Sequence, residues 1–148
     1  MFIHALGILE SVLGINTELG QTLVSKTKIL PWLLKRIEAK NHDGNRVYAA
    51  EILSILLDNR PNRLVFGKVD GVETTLKVLS VSYICPSADQ PQCKSSFQQY
   101  RRRDPVDADE EEFMENVFDA LCAALSEPEV KTLYLEAEGV DLMLLMMK

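Results

Sequence analysis

Apolar side chains recur every three or four residues along most of the chain, which is the spacing of one buried helix face. Gly, Pro and Asn separate the apolar segments and mark helix ends. The pattern predicts at least seven helices and no strand. The predicted helices span residues 2–15, 17–25, 29–40, 45–58, 61–68, 72–81 and 107–125, and a last helix includes Leu144, Leu145 and Met147.

Three single positions refine this prediction. Thr17 is expected to cap the second helix, because a hydroxyl can accept a hydrogen bond from the first helical turn. Pro31 lies in the first turn of the third helix, where its missing N–H costs nothing. Trp32 has helical spacing with Leu33 and Ile37, so we expect it in the core, and a position in a binding groove is the alternative.

The segments repeat. Residues 70–74 (DGVET) resemble residues 138–142 (EGVDL), and each copy begins an apolar helix pattern after an earlier apolar helix. A weaker copy lies upstream, where residues 8–9 match residues 52–53 at an offset of 44, and Leu33 matches Leu76 at an offset of 43. Helical periods of this length are typical of armadillo and HEAT arrays. The order of long, short and medium helices favours an all-α, armadillo-type, right-handed superhelical solenoid of about three repeats.

The last copy is displaced, because Gly71 and Gly139 are 68 residues apart. The surplus lies in residues 82–107, which contain three Pro, several Ser and Gln, and little apolar periodicity. Such a segment cannot bury enough apolar surface to order itself. We predict a single armadillo-repeat domain over residues 1–148, with 82–107 as a disordered inserted loop between the second and third helices of one repeat.

Charge and composition exclude several classes of function. The net charge of −6 argues against direct binding of nucleic acid, which needs concentrated Lys and Arg, and favours basic partners. No apolar run is long enough to span a membrane, and the first residues lack the pattern of a signal peptide. Both ends resemble interior repeats, since neither has a polar capping helix, so we expect neighbouring repeats beyond this fragment.

The sequence offers little for catalysis or cofactors. His4 and His42 are isolated, no Cys-x-x-Cys pair is present, and no Gly-rich phosphate loop occurs, so we expect no enzyme activity, metal or cofactor. The three cysteines indicate free thiols in a reducing compartment, with a Cys85–Cys93 disulfide as the alternative. The basic run at 101–103 is either a solvated stretch beside acids or a basic signal.

Five stretches resemble the β-catenin-like armadillo family associated with the spliceosome, in order and in spacing. They are residues 5–16 (ALGILESVLGIN), 32–37 (WLLKRI), 49–57 (AAEILSILL), 70–72 (DGV) and 112–122 (EFMENVFDALC). Residues 82–99 depart from the family pattern, either as a lineage-specific loop or as a retained piece of intron. The resemblance implies a nuclear scaffold of the nineteen complex that binds basic nuclear-localisation segments of splicing-factor proteins.

The resemblance also suggests where a partner would bind. In armadillo arrays the third helix of each repeat lines a concave groove, and import-type grooves present Trp and Asn there to clamp a peptide. Alignment puts Gly7, Glu51 and Asp119 at the Trp positions, and Ser11, Ile55 and Ala123 at the Asn positions, so that ladder is missing. An armadillo module of nuclear import or adhesion signalling is therefore the alternative function.

Carboxylates replace the missing ladder and would suit Lys and Arg of a basic segment. The opposing interpretation is that they are solvated surface residues, and the acids that begin the helix after 107 also complement its dipole. The candidate peptide-binding residues are Glu51, Asp58, Glu112, Glu115 and Asp119.

Overall fold

The computed structural model describes residues 2–38, 44–84 and 104–147. Within these ranges the chain is all-α and has no strand, as the sequence predicts. Its helices are α1 (Phe2–Ile15), α2 (Thr17–Lys26), α3 (Ile29–Glu38), α4 (Gly44–Leu57), α5 (Arg60–Lys68), α6 (Gly71–Ile84), α7 (Ala108–Ala124), α8 (Pro128–Glu136) and α9 (Gly139–Met146).

Several helix boundaries differ from the prediction by one residue, and two differences are more informative. Asn16, not Thr17, caps α2, since the Asn16 side chain accepts a hydrogen bond from the backbone N–H of Leu19 at 3.2 Å. Helix α6 continues to Ile84, so the first three residues of the predicted loop 82–107 are helical. Most of that loop, residues 85–103, lies outside the described residues, and its disorder stays a prediction.

The helices stack in three layers, because each helix packs against the helix three places later. Helices α1, α4 and α7 form one layer, the third-helix layer, named after its expected place in the repeat. Helices α2, α5 and α8 form the second layer, and α3, α6 and α9 form the third. This three-helix period confirms an armadillo-type solenoid.

Helix α4 lies at the centre of the core, between α1 and α7. Its Ala49 and Ala50 are fully buried, and such small side chains let neighbouring helices approach closely. Ile52, Leu53 and Leu56 are fully buried as well, so α4 is covered on more than one side. The contrast between an apolar face and a polar face is therefore smaller in α4 than in a surface helix.

The exposure of Trp32 corrects a prediction. Trp32 is 41% exposed, whereas its neighbours Leu33 and Ile37 are fully buried. Helical spacing alone placed all three in the core, but Trp32 lies at the edge of the buried stripe of α3. It is on α3 rather than in the third-helix layer, so the alternative groove position is not supported either.

The repeated sequence at 70 and 138 has a structural counterpart in the backbone. Asp70 and Glu138 both have φ = 57°, which is the left-handed region that side chains other than Gly rarely adopt. The first unit is α2–α4, the second is α5–α7, and the third begins with α8 and α9. Asp70 and Glu138 each directly precede the second helix of their unit, α6 or α9. The equivalent turn of the first unit is different, since Thr27 is extended there with φ = −134°.

An aromatic ring covers the glycine that follows each of these residues. A Cβ built on Gly71 would lie 2.4 Å from ring carbons of Phe66, and one on Gly139 would lie 2.3 Å from the ring of Tyr134. These distances are too short for any side chain. The same contact between an aromatic ring and a glycine therefore occurs in both copies, which are 68 residues apart.

A buried carboxylate connects the second and third units. Glu127 directly precedes α8 without a capping hydrogen bond from its side chain, and that side chain is only 5% exposed. It accepts hydrogen bonds from Nε of Arg60 at 3.0 Å and Nε of Arg63 at 3.1 Å, both on α5. The hydrogen bond from Arg60 lowers the pKa of Glu127, and the positive charges of both arginines lower it further, against the effect of burial.

Candidate peptide-binding face

Four of the five candidate carboxylates lie on two neighbouring helices of the third-helix layer. Glu51 is on α4, and Asp58 lies in the turn that follows the end of α4 at Leu57. Glu112, Glu115 and Asp119 are on α7 at spacings of three and four, so they form one stripe. Because α4 packs against α7, the structure brings Glu51 and this stripe to the same layer.

Several positions of α4 and α7 that are 68 residues apart in sequence have the same burial in the structure. Ala49 and Val117 are both buried, as are Leu53 and Leu121, which differ by the same offset. Glu51 and Asp119 therefore occupy equivalent positions of α4 and α7, as the sequence alignment predicts.

The exposure of the carboxylates differs along the face. Glu51 is half-buried, and Asp58, Glu112, Glu115 and Asp119 are exposed. Within residues 2–38, 44–84 and 104–147, none of these five side chains forms a salt bridge with Lys or Arg. Their charges are therefore not neutralised by the described part of the chain.

Glu51 lies in a negative environment that extends over three helices. Burial raises the pKa of Glu51, and the carboxylates of Glu10 on α1 and Glu112 on α7 raise it further. Like charges near a half-buried carboxylate disfavour its ionised form, and a cation placed between them would relieve this cost. The arrangement suits a positively charged side chain.

Sequence alignment missed Glu10. The alignment by residue identity pairs Gly7 with Glu51, at an offset of 44. In the structure a Cβ on Gly7 would lie 3.6 Å from the Tyr48 ring, so the contacting positions of α1 and α4 differ by 41. One turn further along, the same offset relates Glu10 to Glu51. The sequence feature that could have identified Glu10 is its position three residues after Gly7, which places both residues on the same side of α1.

Part of the acid run at 107–112 has a structural role. The Asp107 side chain accepts a hydrogen bond from the backbone N–H of Glu110 at 2.8 Å, and the buried Glu110 carboxylate accepts one from the N–H of Val106 at 2.7 Å. Each side chain thus satisfies a backbone donor at the start of α7. Glu112 and Glu115 take no part in this cap and stay at the surface.

The remaining chemistry of the described residues is sparse. No group of three or more His, Cys, Asp and Glu that could hold a metal ion occurs among them. Cys122 is an exposed free thiol on α7. Cys85, Cys93, His42 and the basic run 101–103 lie outside the described ranges. None of the described helices has the length and apolar character needed to cross a membrane.

Three stacked layers with a three-helix period define an armadillo-repeat protein. The model of the catenin-beta-like family, described as Arm-motif containing nuclear proteins, matches residues 1–89 and 94–148. The chain belongs to this family.

Curated relatives agree with this assignment. Beta-catenin-like protein 1 is 36% identical in Rattus norvegicus and 35% identical in Homo sapiens, in each case over 147 residues and 98% of this chain. The beta-catenin-like protein 1 homolog of Schizosaccharomyces pombe is 33% identical over 97% of the chain. The chain spans 23% of the length of each of these relatives.

Proposed function

We propose that the chain is part of a non-enzymatic scaffold of nuclear pre-mRNA splicing, in the nineteen complex. Its role there is to bind basic, nuclear-localisation-type segments of splicing-factor proteins. The family description as Arm-motif containing nuclear proteins supports the nuclear location. The resemblance to the spliceosomal β-catenin-like family supports the pathway, and the acidic face supports the chemistry of the ligand. Neighbouring repeats of the array would extend the binding surface.

The observation that supports this function best is the set of carboxylates on α4 and α7 that lack a cation in the described chain. An Arg or Lys of a partner can form a charge-assisted hydrogen bond with such a group, worth roughly 1.5–3 kcal/mol when it is partly desolvated. At an exposed position the same pair is worth about 1 kcal/mol or less. Half-buried Glu51 should therefore contribute more than exposed Asp119.

Charge reversal tests the proposal. A fluorescent peptide rich in Lys and Arg is titrated into the parent protein and into the Glu51→Lys/Asp119→Lys variant at two salt concentrations. We expect the variant to bind about tenfold more weakly or worse, which corresponds to about 1.4 kcal/mol. Affinity for the parent should fall as salt rises, because salt screens exposed charges.

Two further variants control for net charge and folding. Glu18→Lys/Glu136→Lys makes the same change in net charge on α2 and α8, at exposed positions outside the third-helix layer. Glu115→Lys/Asp119→Lys changes only exposed residues of α7, so it should fold even if Lys at 51 does not. Equal affinities of the parent, the α7 variant and the control would disprove a basic-ligand site on this face.

A further inference from the structure

The turn that follows α7 contains a side chain that a protein kinase can modify. Ser126 is exposed in this turn, two residues after the end of α7 at Ala124. Glu127 follows it directly, and Glu129 follows three residues later. No other Ser or Thr of the sequence has an acidic residue three positions later. A hydroxyl followed by carboxylates is the pattern that acidophilic protein kinases recognise, because basic side chains of the kinase bind those carboxylates.

Ser126 occupies the position of a carboxylate in the preceding unit. The repeat offset of 68 residues relates it to Asp58, which lies in the turn after α4. The two turns share a backbone hydrogen bond: the N–H of Asp58 donates to the carbonyl oxygen of Ile55 at 3.3 Å, and that of Ser126 donates to the carbonyl oxygen of Ala123 at 3.1 Å. Both side chains are exposed. Asp58 is exposed although the following unit packs against its own, so the exposure is a property of this turn.

The same offset relates the carboxylates of the candidate peptide-binding face. Glu51 and Asp58 are seven residues apart at the end of the first unit, and Asp119 and Ser126 are seven residues apart at the end of the second. Three of these four positions have a carboxylate, and the fourth has a hydroxyl. A phosphate on Ser126 would add a charge of about −1.5 to −2 at neutral pH. The modified second unit would then repeat the charge pattern of the first.

We propose that Ser126 is a phosphorylation site, and that its phosphate strengthens the binding of basic segments by the carboxylates of α4 and α7. This inference rests on the proposed function and adds its regulation. An acidophilic kinase transfers the γ-phosphoryl group of ATP to Oγ of Ser126. The new O–P bond forms as the bond between the γ-phosphorus and the bridging oxygen breaks, ADP leaves, and the hydroxyl proton passes to the catalytic carboxylate of the kinase.

A cation of this chain lies close to the proposed phosphate. Arg60 on α5 binds Glu127, the residue after Ser126, through its Nε, and 71% of the Arg60 side chain is exposed. A guanidinium has five N–H donors, so Arg60 can also donate to a phosphate oxygen. A phosphate dianion paired with one arginine keeps a net negative charge and still attracts a basic partner.

Phosphorylation in vitro tests the first half of the proposal. The parent protein, Ser126→Ala and Glu129→Gln are incubated with ATP and casein kinase 2, an acidophilic kinase, and mass spectrometry locates the modified residues. We expect phosphate at Ser126 in the parent and slower incorporation there in Glu129→Gln. Thr132 is the internal control, because it is exposed on α8 but has Leu135 three residues later. An unmodified Ser126 in the parent would overturn the proposal.

Peptide binding tests the second half. The fluorescent peptide rich in Lys and Arg is titrated into the phosphorylated and the unmodified parent at two salt concentrations. We expect the phosphorylated protein to bind roughly threefold to tenfold more tightly at the lower salt concentration. The difference should shrink as salt rises, because salt screens exposed charges.

Ser126→Asp and Thr132→Asp form a matched pair of variants that need no kinase. Both add one negative charge, but Thr132 is on α8, outside the third-helix layer. Only Ser126→Asp, which copies Asp58 of the preceding unit, should tighten binding, by about twofold to threefold. Equal effects of the two variants would indicate a general effect of net charge and would contradict the proposal.

The remaining outcomes separate this inference from the proposed function. If the peptide binds neither form of the parent, the proposed function fails and the inference fails with it. If the peptide binds both forms equally, only the regulation fails. A phosphate that raises the melting temperature of the parent but not of Arg60→Ala, without a change in peptide affinity, would act on the junction between α5 and α8 and would overturn the role proposed here.

Discussion

Nε of Arg63 on α5 lies 3.1 Å from Oε1 of Glu127, the residue before α8, although the two residues are 64 positions apart in sequence. Arg63 is mostly buried, with 18% of its side chain exposed, and Glu127 is more buried still. Arg60 binds the other carboxylate oxygen at 3.0 Å. The contact joins equivalent helices of successive units, so it fixes the position of one unit against the next.

Glu127→Gln should lower the melting temperature at neutral pH, because two cations then lose a buried partner. The pKa of Glu127 lies below its ordinary value of 4.5, so its contribution is fully present above that value and is lost as pH falls through the lowered pKa. The difference between thermal melts of parent and variant should therefore be largest at pH 7 and shrink as the pH is lowered below 4.5.

The pair Lys77 and Glu38 supplies the control for that measurement. Both side chains are largely exposed, at 63% and 41%, although they also form an ion pair. Exposed ion pairs contribute little to stability. Glu38→Gln should leave the melting temperature almost unchanged, and a loss as large as that of Glu127→Gln would contradict the role of burial.

Gly71→Ala should destabilise the protein by about 1–3 kcal/mol, because the new methyl group overlaps the Phe66 ring and forces it to move. Gly14→Ala is the matched control, since it has open space around it and should be neutral or stabilising by up to about 1 kcal/mol. Urea denaturation gives the free energy of unfolding of both. Similar values for the two variants would show that the ring does not constrain Gly71.

Asn62→Val should cost about 1–3 kcal/mol, since it removes the donor from a buried acceptor. Asn62 is 1% exposed, and its Nδ2 donates to the carbonyl oxygen of Leu56 at 2.8 Å, near the end of α4. The next unit has Val130 at the equivalent position, 68 residues later, and it is also buried. Gln21→Val, at an exposed amide of α2, should change the free energy of unfolding by far less.

Glu51→Gln should raise the melting temperature at pH 7. The gain in the free energy of unfolding should be less than about 1 kcal/mol, because solvent screens the charges around this half-buried residue. The raised pKa of Glu51 means that the folded state disfavours its ionised form. This cost is absent below the ordinary value of 4.5, grows as pH rises above that value, and is complete once the pH exceeds the raised pKa. Melts at pH 7 and at about pH 3 should show a difference only at pH 7, and Glu115→Gln is the exposed control.

Local patterns predicted most of the fold. Apolar spacing and the copies at 70 and 138 were sufficient for the helices and for the repeat, because Asp70 and Glu138 adopt the same left-handed conformation beside the same kind of glycine. Trp32 was misplaced, since a helical pattern does not define the edge of a buried stripe. Glu127 was not predicted at all, because its two arginines are distant in sequence.

The candidate site was predicted less completely than the fold. The repeat offset of 68 residues relates Glu51 to Asp119, and both lie in the third-helix layer, while their role in peptide binding stays a prediction. Glu10 escaped notice because contacts between α1 and α4 follow an offset of 41, and this offset depends on how Tyr48 packs over Gly7. Sequence similarity between repeats identifies equivalent positions, whereas contacts between neighbouring helices of one layer depend on the three-dimensional stagger of those helices.

The carboxylate of Glu127 also sets a limit on how the units can be rearranged. An array of identical repeats can be lengthened, shortened or permuted, since every junction is the same. Here the third unit brings an acid to a junction where α5 supplies its two partners, Arg60 and Arg63. At the equivalent start of α5 the chain has Asn59 instead of an acid. Exchanging the second and third units would bury Glu127 without those cations. This junction is therefore compatible with the present order of the two units and not with the reverse order.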